Sequence, residues 1–146
     1  MTELDLRTVR QDFFALANYL VKRRGQPMSL LSVQIIHSSD ADKRNQKSPR
    51  GFCHVTPGLW VIFCSQTLED APREVRLGVL LHETGHLILD AFRGDESEVD
   101  VDEFCLHVVP EAGYYYGDSE YFSRFHGRNV TAKNVQHVSH KFAEIL

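Results

Sequence analysis

Long apolar runs are missing from this 146-residue chain. That excludes a membrane-spanning helix, which needs about 20 consecutive apolar residues. Cysteine is scarce: Cys53, Cys64 and Cys105 form an odd set with no close pair. A disulfide framework is therefore not expected, and the three read as reduced core residues of a cytosolic protein. A basic excess is also absent, since 16 Lys and Arg stand against 20 Asp and Glu, a formal net charge of −4. That argues against nonspecific nucleic-acid binding. The opening residues, Met1-Thr2-Glu3-Leu4-Asp5, lack the basic region and apolar centre of a secretory signal, so a cytoplasmic protein is expected. On that reading the sequon Asn129-Val130-Thr131 is unused.

What is present is ordinary for a globular protein, with 42% hydrophobic and 25% charged residues. The length fits one domain spanning 1–146 that can bury a core without disulfides. The most informative stretch is Pro72 to Phe92, centred on His82-Glu83-Thr84-Gly85-His86. Residues four apart lie on one helical face, so His82 and His86 can aim two imidazole nitrogens at one metal ion. Glu83 is then placed to take a proton from a metal-activated water, as in zinc hydrolases. The surroundings are helical: Pro72 and Glu74 suit a first turn, and Leu77, Leu80, Leu81, Thr84, Ile88 and Ala91 make a mostly apolar face. Gly85 costs roughly 1 kcal/mol of helix stability against Ala. A glycine makes sense there if something passes close to the backbone between the two histidines.

A catalytic zinc site takes three protein ligands. The metzincin pattern is excluded, because Leu89 and Phe92 stand where it needs glycine and histidine. The third ligand must come from further on. Glu96 to Pro110 opens acidic and carries Val101, Phe104, Cys105 and Val108 at helical spacing, with Asp100, Glu103 and His107 on an adjacent stripe. A second helix packed on the first could project one of these at the metal.

The rest of the chain frames that pair of helices. Leu4 to Lys22 is amphipathic and stops near Arg23-Arg24-Gly25. Leu30 to His37 reads as a strand. Ser38 to Gly51 is polar and reads as a solvated loop, or else a substrate lid. Phe52–Thr56 and Leu59–Ser65 flank Pro57-Gly58, a hairpin signal, with Cys53 and Cys64 facing the core. Thr67 to Ala71 reads as a short connection, and Arg93-Gly94-Asp95 as a turn. Thr131 to Leu146 reads as a closing helix with Val135, Val138, Phe142 and Ile145 on one face, and His137 and His140 at its surface. The expected fold is α+β: a small three-stranded antiparallel sheet packed on the N-terminal helix and the motif helix. One sheet edge would lie beside the motif helix, where an extended peptide could add as a strand.

From the hairpin to Pro110 the chain resembles the ImmA/IrrE-like metallopeptidases, compact gluzincins. His82-Glu83-Thr84-Gly85-His86 matches their H-E-x-G-H helix. Asp100-Val101-Asp102-Glu103-Phe104-Cys105 is similar to their E-A-x-x-F-A segment, and Val108-Val109-Pro110 to its apolar close. The resemblance implies a minimal zincin-like domain holding one Zn²⁺. Its ligands would be His82, His86 and Asp100, where the family has glutamate; Glu98, Glu103 and Glu96 are the alternatives, and His107 a weaker one. It implies a zinc endopeptidase that uses Glu83 as general base and cleaves a protein such as a repressor. Tyr114, Tyr115, Tyr116 and His126 are candidates for stabilising the oxyanion. No direct nucleic-acid or membrane contact is implied. Two other readings stand beside it. One is a catalytically silent zinc-binding domain that holds a protein partner; the other is a regulator whose motif is coincidental.

Overall fold

A computed structural model describes residues 5–38, 53–56, 60–93, 98–110 and 140–146. In chain order its elements are α1 (Arg7–Arg24), a 3-10 turn (Met28–Ser32), β1 (Gln34–His37), β2 (Cys53–Thr56), β3 (Val61–Cys64), α2 (Gln66–Asp70), α3 (Arg73–Arg93), α4 (Glu98–Val108) and α5 (His140–Ile145). The fold is α+β. Among the described residues no helix is long and apolar enough to cross a membrane.

Helix α1 buries Val9, Phe13, Leu16, Ala17 and Leu20, a stripe at helical spacing. It ends where expected, at Gly25, whose φ of 67° is cheap only without a Cβ. The expected strand over 30–37 is shorter than its composition suggests. Met28–Ser32 is a 3-10 turn, and β1 begins at Gln34, which pairs with Val61, the first residue of β3. Among the described residues, those before Gln34 have no partner strand. The expected connection over 67–71 is instead the helix α2, capped by Ser65, whose side chain accepts the Leu68 N–H.

The sheet corrects the antiparallel expectation. Its order is β1-β3-β2, with β2 antiparallel to β3 but β1 parallel to it. Strand β1 sits across β3 from the hairpin partner, so the chain between β1 and β2 crosses over and brings β3 back in the direction of β1. Ile35, Val61, Ile62 and Cys64 are buried in the core with α1 and α3. The register also places Cys53 directly opposite Cys64, a pair that their separation in sequence hides. Trp60, just before β3, has a φ of 52°, and its carbonyl accepts the Gln34 N–H at 3.1 Å.

A polar network absent from the sequence reading joins the helices. Asp12 is buried on α1 and accepts from Arg76 of α3 at 2.5 Å, with Arg73 at 3.5 Å. The Arg76 guanidinium also donates to the carbonyls of Glu69 and Ala71 at the end of α2, at 3.3 and 2.6 Å. The Glu69 carboxylate in turn accepts the N–H groups of Thr8 and Val9, at 2.6 and 2.8 Å. It thus caps α1 from about sixty residues away and satisfies donors that have no partner inside the helix. At the other end Arg73 donates to the Ala143 carbonyl at 2.6 Å, and Phe142 packs edge-on against Tyr19 of α1. These contacts seat α5; residues 131–139 of the expected closing helix, His137 among them, lie outside the described residues, as do the 39–52 segment, Pro57-Gly58 and Gly94-Asp95.

Removing one partner of a buried ion pair leaves the other uncompensated. Asp12→Ala should therefore lower the unfolding free energy by about 3–5 kcal/mol in urea titrations. A loss below about 1 kcal/mol would show that Arg76 is held by the α2 carbonyls alone.

Candidate metal centre

Helix α3 starts at a proline stop. The Pro72 carbonyl accepts the Arg76 N–H at 2.9 Å, and Glu74 lies in the first turn where the helix dipole favours it. Leu77, Val79, Leu80, Leu81, Leu87, Ile88 and Leu89 are all buried, so this helix is covered on nearly every side. Thr84, fully buried, satisfies its hydroxyl by donating to the Leu80 carbonyl at 2.6 Å.

Within this apolar surround the two histidines converge. His82 is 2% exposed, while Glu83 and His86 are half-buried. The Nε2 atoms of His82 and His86 lie 3.2 Å apart, and their rings meet nearly edge to face, with centroids 4.8 Å apart at 81°. Two nitrogens bound to one tetrahedral zinc at the usual 2.0–2.1 Å stand roughly 3.3–3.4 Å apart. The separation and the imidazole donor type therefore fit a divalent ion such as zinc. Glu83 follows His82 directly on the same helix.

Gly85 explains how a second helix reaches this site. A Cβ built there would lie 2.8 Å from Val101 Cγ1 and 2.9 Å from Cys105 Sγ, both on α4. Helix α4 thus rests on the α3 backbone between the two histidines, as a glycine at that point suggests. The contact is reinforced by the Cys105 thiol, which reaches the Leu81 carbonyl at 3.5 Å. Strand β2 runs beside α3 as well.

The candidates for the third ligand separate by position. Asp100 is half-buried, whereas Glu103 and His107 are exposed. Among the described residues, no His, Cys, Asp or Glu joins the histidine pair in a group of three. Asp100 is thus not brought together with His82 and His86 in such a group. Position 98 opens α4, three residues before Val101 and seven before Cys105. It therefore shares the stripe that meets Gly85, while position 100 is turned about 100° off Val101. The side chain of Glu98 lies outside the described residues, as do Glu96, Tyr114, Tyr115, Tyr116 and His126 altogether. Asp100 remains the first candidate from the sequence, and the spacing 98, 101, 105 keeps Glu98 beside it.

Comparison with protein-family models, curated proteins and solved structures finds no match to this chain.

The Gly85 contact makes a quantitative prediction. Gly85→Ala gains roughly 1 kcal/mol of helix propensity, but overpacking against the branched Val101 costs about 1–3 kcal/mol. The net effect in denaturant titrations should be destabilising. Adding Val101→Ala should relieve only part of that cost, because Cys105 Sγ stays 2.9 Å from the new Cβ, and a double-mutant cycle reads the Val101 share directly.

Proposed function

We propose that this chain is a zinc-dependent metallopeptidase of the ImmA/IrrE-like kind, a minimal zincin-like domain. It acts in the cytoplasm and hydrolyses peptide bonds of a specific regulatory protein such as a repressor. The observation that carries the reading is the 3.2 Å approach of the His82 and His86 Nε2 atoms on a buried helix, with Glu83 beside them. Holding two imidazoles in an apolar surround, one of them almost wholly buried, has an evident use if both lone pairs serve one cation.

In this reading His82, His86 and a carboxylate of α4 hold Zn²⁺. Asp100 and Glu98 are the candidates for that carboxylate, and position 98 continues the stripe of Val101 and Cys105 that rests on Gly85. When bound, zinc would supply the Lewis acidity that activates a water and polarises the scissile carbonyl. Glu83 accepts the proton of that water on its carboxylate and returns it to the leaving amine nitrogen. Strand β2, an edge strand beside α3, offers main-chain groups along which an extended substrate segment can align.

Three measurements test this. Protein purified without added zinc should carry about one equivalent; under a tenth, with no thermal shift on adding zinc, overturns the metal reading. Glu83→Gln should keep its zinc and lose at least about a hundredfold in cleavage of an unstructured peptide library. A wild-type protein that binds zinc yet cleaves nothing in that library, nor its bound partner, would instead be a zinc-dependent interaction domain. Finally, Glu98→Gln should weaken zinc binding at least about tenfold and Asp100→Asn should not. The opposite pattern returns the third ligand to Asp100.

A further inference from the structure

We propose that Cys53 and Cys64 form a reversible cross-strand disulfide that pins the start of edge strand β2 to β3. The inference rests on backbone register and is independent of the metal. Cys53 and Cys64 are directly opposed in the antiparallel β2–β3 pair. Opposed residues share one face of a sheet, so both positions lie on the face that buries Ile62 and Cys64.

The hydrogen bonds show which kind of opposed pair this is. Trp60 and Cys64 turn their carbonyls toward the β1 side, where they accept the N–H groups of Gln34 at 3.1 Å and Ser38 at 3.0 Å. The N–H and C=O of one extended residue point to the same edge. Cys64 therefore directs its backbone groups away from β2, and Cys53–Cys64 is a non-hydrogen-bonded pair. Such pairs bring Cα atoms to about 4.5 Å, with side chains at their closest. That separation lies at the short end of the roughly 4.4–6.8 Å that a disulfide spans. That spacing admits a disulfide without moving the strands. The third cysteine, Cys105, is committed elsewhere, against Leu81 and Gly85.

The oxidant is a small-molecule disulfide such as oxidised glutathione. The Cys53 thiolate attacks one sulfur of glutathione disulfide, releasing one glutathione thiolate and leaving a mixed disulfide. The Cys64 thiolate then attacks the Cys53 sulfur and displaces the second glutathione. Two protein thiols are oxidised and one glutathione disulfide is reduced to two thiols. Cys64, at 0% exposed, takes the second, intramolecular step.

The test uses the full chain with a chelator present, so that metal cannot mask thiols. Native protein is equilibrated across ratios of oxidised to reduced glutathione, quenched by alkylation in acidified denaturant so that buried thiols also react, and mapped by non-reducing peptide mass spectrometry. We expect two of the three cysteines to resist alkylation in oxidising mixtures, with a peptide linking 53 to 64, and full reversal by dithiothreitol. Cys53→Ser and Cys64→Ser, checked for folding by circular dichroism, should each abolish the link. Three alkylated thiols at every ratio would overturn the proposal. So would a link through Cys105, a disulfide between two chains, or a glutathione adduct that goes no further.

Discussion

The Arg76 guanidinium is the contact on which the arrangement of this fold depends. It sits in the first turn of α3, neutralises the buried Asp12 of α1 and donates to the carbonyls of Glu69 and Ala71 that close α2. Glu69 completes the circuit by capping α1. Three helices are thus fixed to one another by groups that cannot be separated without leaving a charge buried and unpaired. Apolar packing alone would let α3 slide or rotate at little cost, because almost its whole circumference is buried. The polar circuit selects one rotation, and that rotation decides where the imidazoles two turns further on will point.

Gly85 sets the second constraint. A helix that carries two large rings at i and i+4 is crowded on that side, and another helix can come close only where the side chain between them is absent. The residue that permits the approach lies directly before His86, so close packing and ligand placement are properties of the same turn. This is also why position on α4 matters more than residue type. On the proposed function, aspartate or glutamate would serve as a zinc ligand, and position 98 shares with Val101 and Cys105 the stripe that touches α3.

Much of this was legible in the sequence. The C-terminal end of α1 follows from Gly25, while its start falls at Arg7 and not at Leu4, and α3 follows from the run between Pro72 and Phe92. The role of Gly85 follows from the cost of placing glycine inside a helix. The hairpin followed from Pro57-Gly58 and its flanking β-rich runs. What was not legible depends on partners distant in the chain. An aspartate at position 12 on an apolar stripe is a signal that something pairs with it, but nothing local names Arg76. Glu69 looks like an ordinary surface acid until the start of α1 is laid against it. The opposition of Cys53 and Cys64 depends on how the hairpin turn sets the register, which neither cysteine's neighbours reveal. The direction of β1 depends on how the chain crosses the sheet between β1 and β2, a path with no hydrophobic period of its own.

That last point bears directly on the site. An antiparallel meander in chain order would have made β2 the central strand, with both rows of its backbone groups paired. Among the described residues the order β1-β3-β2 puts β3 at the centre and β2 at an edge, in contact with α3. An edge is a hazard, since unpaired strand groups invite other chains, and proteins keep one where it serves a purpose or is shielded. Strand β2 is in contact with the helix that holds His82, Glu83 and His86. On the proposed function, a peptide added to that edge would be held by main-chain groups. A mixed sheet is therefore what places β2, and not β3, on the outside of the described sheet, in contact with the helix that carries the two histidines.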